Sequence, residues 1–129
     1  MLGRPVSILG EVVRGASRGK SLGFPTANVK YNCDILPPCG VYAVRLRWGK
    51  KILYGMANLG MRPTFKDQKP APILEVHIFD FNQNLYGQTV LVEFLKKTRD
   101  EQSFTSKEDL IAQIQKDEQI IRQFLLTQF

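Results

Sequence analysis

Apolar and polar residues alternate in short segments along most of the chain. Five of these segments are rich in the β-branched and aromatic residues that favour strands: SILGEVVRG, GVYAVRLRW, KILYGMANLG, ILEVHIFDF and QTVLVEFLKK. Only Gly49 and Lys50 separate the second segment from the third. Glycine readily adopts the positive φ that a two-residue hairpin turn needs at its first position, so a hairpin is expected here. Strands that follow one another without intervening helices predict a small antiparallel barrel or sandwich.

A helical period begins only near the C-terminus. Ser106, with Asp109 three residues later, resembles the capping box that starts a helix. Four apolar residues then fall on one helical stripe, and we expect this stripe to pack on the strands: Leu110, Ile114, Ile121 and Leu125.

Composition limits the classes of protein that fit. The 129 residues suit a single domain, 1–129, and hydrophobic residues make up 43% of them, as in ordinary globular proteins. No apolar run approaches the ~20 residues of a membrane span, and the start lacks the apolar segment of a signal peptide. We therefore expect a cytoplasmic protein without a membrane partner.

The side chains most used for nucleophilic and metal chemistry are scarce. Cys33 and Cys39 match neither a C-x-x-C pair nor a paired zinc spacing, and free thiols are expected. Because His77 is the single histidine, the chain has almost no material for a histidine-based triad or zinc cluster.

Positive charge is concentrated in the first half of the chain. Residues 1–70 contain twelve basic and three acidic side chains, whereas residues 71–129 contain six and nine. A positive half-domain attracts polyanions, and nucleic acids and nucleoside triphosphates are both candidates.

Three groups of residues in the sequence are candidates for phosphate chemistry. Glycines and basic residues interleave in RGASRGKSLGFPTAN, which could form a phosphate cradle or a solvated loop. Thr26 and Asn28 carry neutral oxygens suited to a Mg²⁺ that arrives with a nucleotide, but they could equally cap a turn. Alternation places Glu75, His77 and Phe79 on one strand face. Glu75 could serve there as a general base or simply be solvated.

Two further segments combine arginine with phenylalanine in expected loops: ANLGMRPTF, 57–65, and KKTRDEQSF, 96–104. Such loops can grip a flat aromatic ligand, or they can be surface segments with one anchoring ring.

The order of these motifs resembles that of the riboflavin kinase (flavokinase) family. The resemblance rests on G-x-x-x-G-K-x-L-G-F-P-T-A-N, G-V-Y-A-V, G-M-A-N-L-G-M-R-P-T-F, L-E-V-H-I-F-D-F, L-Y-G and K-K-x-R-D-E-Q-S-F, and it runs from about Gly3 to Asp117. It is strongest to the C-terminal kinase module of bacterial bifunctional riboflavin kinase/FAD synthetases.

This resemblance implies a six-stranded antiparallel β-barrel with a C-terminal helix, and transfer of the γ-phosphoryl group of ATP to riboflavin, giving FMN and ADP. It implies that Glu75 is the catalytic base and that Thr26 and Asn28 are the Mg²⁺ ligands. The implied ATP-binding residues are Gly15, Ser17, Arg18, Gly19, Lys20, Gly23, Pro25, Thr26 and Asn28. The implied flavin-binding residues are Asn58, Gly60, Met61, Arg62, Thr64, Arg99, Glu101 and Phe104.

The resemblance also implies a partner domain, because the bifunctional proteins carry an N-terminal nucleotidyltransferase. Its H-x-G-H motif needs two histidines and this chain has one, so we expect FMN but no FAD as product. The chain would then be a module excised from a longer protein.

A nucleic-acid-binding barrel is the competing interpretation. It rests on the basic first half and on four aromatic residues: Tyr31, Tyr42, Trp48 and Tyr54. The alternation of GVYAVRLRW argues against it, because Tyr42 and Trp48 then share a strand face with Val44 and Leu46, as core residues do. Nucleic acid is therefore not expected as a partner.

Overall fold

The computed structural model describes residues 6–13, 26–32, 35–61 and 72–128, which form six strands and one helix. Every paired strand is antiparallel, and the order β1-β2-β5-β4-β3-β6 closes into a barrel, which confirms the predicted six-stranded fold. The elements are β1 (Val6–Val13), β2 (Ala27–Tyr31), β3 (Gly40–Trp48), β4 (Lys51–Met61), β5 (Pro72–Ile78), β6 (Thr89–Arg99) and α1 (Lys107–Gln128).

Alternate residues of each strand fill the barrel interior. In β5, Leu74, Val76 and Ile78 point into the core cluster, as the alternation in ILEVHIFDF predicts. The intervening Glu75 and His77 therefore lie on the outer surface of the barrel, where both are half-buried. This period of two decides which side chains of β5 can meet a ligand.

Helix α1 covers part of that outer surface. Ile121 is fully buried in a second apolar cluster with Val41, Ala43, Met56 and Phe79 of the barrel. Ile114, Phe124 and Leu125 pack against the same cluster. The helix begins as predicted, because the backbone N–H of Asp109 donates to Ser106 Oγ at 3.1 Å.

The hairpin between β3 and β4 has the predicted turn. Trp48 pairs with Lys51, and Gly49 between them has a φ of 59°. Strand β5, in contrast, is shorter than the alternating segment ILEVHIFDF. It ends at Ile78, because Phe79 and Asp80 form a turn in which Asp80 has a φ of 56°. Phe79 turns its ring toward α1 instead of continuing the barrel wall.

Close packing of β4 against β5 depends on Gly55. A Cβ at this position would lie 2.3 Å from the backbone oxygen of His77, and backbone cannot give way as a side chain can. We expect Gly55→Ala to lower the free energy of unfolding by roughly 1–3 kcal/mol, measured by urea denaturation. Gly49→Asn is the matched control, because open space surrounds Gly49 and asparagine tolerates its left-handed φ. A Gly55→Ala loss no larger than that of the control would contradict the prediction.

Candidate active site

A row of three polar residues crosses adjacent strands on the outer surface of the barrel. Glu75 of β5 pairs with Asn28 of β2 on one side and with Asn58 of β4 on the other. Directly opposed residues in antiparallel strands share a face, with Cβ atoms about 4.5–5.5 Å apart. Residues on either side of the row point into the core, so the three polar side chains project outward together.

Two buried oxygen atoms at this row have no hydrogen-bond partner among the described residues. They are Oγ1 of Thr26, two residues before Asn28 in the chain, and Oδ1 of Asn58. A buried polar atom without a partner costs about 1–3 kcal/mol, and such atoms are rare in folded proteins. Two of them beside one half-buried carboxylate point to a place where a ligand supplies the missing partners.

The Glu75 carboxylate has neutral neighbours in its row. Asn28 and Asn58 are both amides, and no residue in the described ranges forms an ion pair with Glu75. Glu93 of β6 shows the contrasting case. It pairs with Arg45 and Arg47 at 2.8 Å each, and the hydrogen bond from Arg45 holds the pKa of Glu93 below its usual range. Unlike Glu93, the half-buried Glu75 has no charged partner among the described residues.

His77 closes one end of the site against α1. Its Nε2 lies 3.7 Å from Glu118 Oε1, and its ring meets that of Phe79 edge to face at 5.6 Å. Glu118 also accepts a hydrogen bond from Arg122 Nε at 2.8 Å, and the Arg122 guanidinium lies 4.2 Å from the Phe79 ring centroid. Helix α1 thus contacts the strand that carries Glu75 through Glu118 and His77, a polar contact that the sequence did not indicate.

Arg99 of β6 lies beyond Asn58 in the direction of the row and forms an ion pair. Val41 of β3 stands between them, because it is paired with Arg99 on one side and with Asn58 on the other. The Arg99 guanidinium binds Asp117 of α1 with both Nε and Nη2, at 2.9 Å and 2.8 Å from the two carboxylate oxygens. Nη1 donates to the backbone oxygen of Asp100, and the guanidinium lies 5.9 Å from the Phe104 ring. In this arrangement Arg99 fixes the start of the 100–106 segment.

The predicted site residues divide into those that the structure describes and those outside the described residues. Thr26, Asn28, Glu75 and Asn58 come together, while Gly60 is buried in β4 and Met61 is exposed at its end. Glu101 is exposed and Phe104 is half-buried in the segment after Arg99. Outside the described residues lie Gly15, Ser17, Arg18, Gly19, Lys20, Gly23, Pro25, Arg62 and Thr64.

The oxygens of this site suit a hard cation that brings most of its own ligands. Within the described ranges, no group of three or more His, Cys, Asp or Glu side chains could hold a metal ion. The hydroxyl of Thr26 and the amide of Asn28 are neutral, so charge balance would come from the phosphates of a nucleotide. The unpartnered Oγ1 of Thr26 fits this arrangement.

Comparison with known proteins decides the family. The family model described as riboflavin kinase (flavokinase) matches residues 2–125. The chain belongs to the riboflavin kinase family. A curated relative, the bifunctional riboflavin kinase/FMN adenylyltransferase of Bacillus subtilis, is 44% identical over 92% of this chain and 38% of its own length. This riboflavin kinase domain therefore spans well under half the length of that relative.

Two solved structures resemble this riboflavin kinase domain. One from Streptococcus pneumoniae, described as a macrolide-efflux protein, is 38% identical with a TM-score of 0.83, over 92% of this chain and 38% of that one. The riboflavin kinase from Trypanosoma brucei is 22% identical with a TM-score of 0.67, over 99% of this chain and 84% of that one. The second likeness concerns the fold alone. Among the described helical residues, none forms a helix apolar and long enough to cross a bilayer.

Three of the four aromatic residues on which the nucleic-acid interpretation rests belong to the core cluster or pack against it. Tyr42 is only 5% exposed and lies in the core cluster, and Trp48 packs against the same cluster. The aromatic face of β3 is therefore an inner face of the riboflavin kinase barrel, as the alternation of GVYAVRLRW predicts.

Proposed function

We propose that this domain transfers the γ-phosphoryl group of ATP to the 5′-hydroxyl of riboflavin, producing FMN and ADP. The observation that carries the proposal is the row Asn28–Glu75–Asn58 in a chain of the riboflavin kinase family. In the described part of the chain, Oδ1 of Asn58 in this row and Oγ1 of the nearby Thr26 are buried without a hydrogen-bond partner. The row offers one carboxylate between two neutral amides, which suits a reaction that needs one base and precise alignment.

Glu75 acts as the general base in this proposal. Its carboxylate accepts the proton of the 5′-hydroxyl while the hydroxyl oxygen bonds to the γ-phosphorus. The bond from the γ-phosphorus to the bridging oxygen breaks, and ADP leaves with the electron pair. Phosphoryl transfer needs little covalent chemistry from the protein, so most of the acceleration comes from aligning the hydroxyl with the phosphorus and balancing charge.

Thr26 and Asn28 would hold Mg²⁺ with ATP on the β2 side of Glu75. The ion would supply positive charge that offsets the negative charge spreading over the phosphate oxygens. The predicted ATP-binding residues Gly15, Ser17, Arg18, Gly19, Lys20, Gly23 and Pro25 directly precede Thr26 in the chain, and their role is part of the proposal.

Riboflavin would lie on the β4 and β6 side of Glu75. Its predicted contacts remain Asn58, Gly60, Met61, Arg62, Thr64, Arg99, Glu101 and Phe104. For Arg99 the ion pair with Asp117 supports an indirect contribution, because its guanidinium is engaged in holding the segment that carries Glu101 and Phe104.

We also propose that the natural protein joins this domain to an FMN adenylyltransferase domain, since the Bacillus subtilis relative bears both names. A cytoplasmic location belongs to the same proposal, because ATP is the phosphoryl donor.

Incubation of the purified chain with riboflavin and Mg·ATP, followed by chromatography of the flavins, tests the proposed function. We expect FMN and ADP to appear in equal amounts with no FAD, since the H-x-G-H motif of the adenylyltransferase needs two histidines and the chain has one. Folded protein that forms no FMN would overturn the proposal. Strong, salt-sensitive binding to single-stranded nucleic acid without flavin affinity would favour the competing interpretation.

A further inference from the structure

We propose that Asn58 binds the ribityl chain of riboflavin and not its ring, with Oδ1 accepting a hydrogen bond from a ribityl hydroxyl beside Glu75. This inference rests on the proposed function and assigns one part of the substrate to one side chain.

The first step is the position of Asn58 in the row. It is paired with Glu75 directly, so its amide lies next to the carboxylate that receives the 5′-hydroxyl proton. That hydroxyl is the end of the ribityl chain. A residue that adjoins Glu75 is therefore close to the ribityl chain, while the flavin ring lies several bonds farther from the reacting oxygen.

The second step is the side of Glu75 on which Asn58 lies. Thr26 and Asn28 belong to the β2 side, where the phosphates are proposed to bind. An in-line displacement puts the attacking and leaving oxygens on opposite sides of the γ-phosphorus. With ADP on the β2 side, the riboflavin hydroxyl therefore approaches the phosphorus from the side away from β2. That is the β4 side, and Asn58 is the residue there that is paired with Glu75.

The third step is chemical. Oδ1 of Asn58 is buried and has no hydrogen-bond partner within the described part of the chain. An amide oxygen only accepts hydrogen bonds, and the ribityl chain is rich in hydroxyl groups that donate them. The oxidised ring has a single N–H donor, at N3 on its pyrimidine edge, whereas the ribityl chain carries a hydroxyl on each of its last four carbons. An unpartnered acceptor beside Glu75 therefore fits the ribityl chain better than the ring.

Flavin binding by the Asn58→Ala variant tests whether Asn58 contacts the ribityl chain or the ring of riboflavin. The probes are riboflavin and lumiflavin, which has the same ring with a methyl group in place of the ribityl chain, and binding is followed by flavin fluorescence. We expect the riboflavin Kd to rise about tenfold, because one buried hydrogen bond is lost, and the lumiflavin Kd to stay within about twofold. Asn58→Ser should recover part of the loss.

Urea denaturation distinguishes ligand binding by Asn58 from a structural role. A structural role predicts that Asn58→Ala lowers the unfolding midpoint. Because Oδ1 has no partner in the described structure, Asn58→Ala should leave the unfolding midpoint equal to or above that of the wild type. Ile52→Ala is the control. Ile52 lies on the same face of β4, at the opposite end of the strand from Asn58, is 48% exposed, and should alter neither flavin affinity.

Three results would overturn the inference while leaving the proposed function intact. They are equal weakening of riboflavin and lumiflavin, weakening of Mg·ATP affinity alone, and no change in either flavin affinity. A wild-type chain that binds riboflavin and makes no FMN would instead remove the proposed function, and the inference with it.

Discussion

The substitution Glu75→Gln is expected to lower turnover by about 10²–10⁴-fold, the usual contribution of a positioned general base. The amide has nearly the shape of the carboxylate and cannot accept the proton of the riboflavin hydroxyl. Its neighbours Asn28 and Asn58 keep their places, because strand pairing holds them through the backbone. The affinity for Mg·ATP should therefore stay within about twofold. Single-turnover FMN formation and a separate nucleotide titration measure the two quantities.

Glu93→Gln is the matched control for Glu75→Gln. It also changes a half-buried strand carboxylate to an amide, but Glu93 pairs with Ser7 and Arg45, far along the barrel from the row. We expect Glu93→Gln to weaken the pairs with Arg45 and Arg47 and so to lower stability, while turnover stays unchanged. Unchanged turnover in Glu75→Gln would remove Glu75 from the mechanism. Equal loss in both variants would indicate a general effect of removing a strand carboxylate.

The outer and inner faces of the strands could be predicted from the sequence because they depend on local alternation. Leu74, Val76 and Ile78 all point inward, and Glu75 lies outward as expected. The same rule placed Tyr42 in the core. The hairpin at Gly49 also depended on neighbouring residues alone, and its φ of 59° matches the prediction.

The pairing of distant strands could not be derived from alternation. Asn28 and Asn58 flank Glu75 only because β5 lies between β2 and β4 in the barrel, an order that the period of two does not encode. The family resemblance supplied Glu75, Asn28 and Asn58 as site residues. It did not reveal that Asn58 is paired directly with Glu75, and the proposed division of the site into an acceptor side and a phosphate side depends on this pairing.

Charged residues of α1 were also missed, for a physical reason. In sequence Asp117 and Glu118 look like ordinary members of a solvated helix face, and only the packed structure shows their partners. Asp117 is 2% exposed and binds Arg99, while Glu118 lies beside His77. Adjacent residues of one helix thus reach Arg99 at the end of β6 and His77 in the strand that carries Glu75.

Removing the carboxylate of Asp117 should produce the largest loss of stability. In Asp117→Ala the guanidinium of Arg99 loses its ion pair, and Gln113 loses an acceptor at 3.0 Å. Breaking a buried ion pair from one side costs about 3–5 kcal/mol, because the other charge stays in a poorly solvated place. We expect a fall of this size in the free energy of unfolding, measured by urea denaturation. Asp80→Asn is the control, since Asp80 pairs with Arg122 at an exposed position, where such a pair contributes about 0–1 kcal/mol.

The double variant Arg99→Met/Asp117→Leu separates the cost of an unpaired charge from the contribution of the pair. Apolar side chains of similar size often replace a buried ion pair without loss, so the double variant should recover most of the stability that Asp117→Ala loses. A double variant as unstable as Asp117→Ala would contradict this account.

The same double variant tests how Arg99 contributes to flavin binding. If Arg99 only fixes the 100–106 segment, a stable double variant keeps riboflavin affinity within about tenfold of the wild type. A complete loss of riboflavin binding in a folded double variant would instead make Arg99 a direct ligand of the flavin.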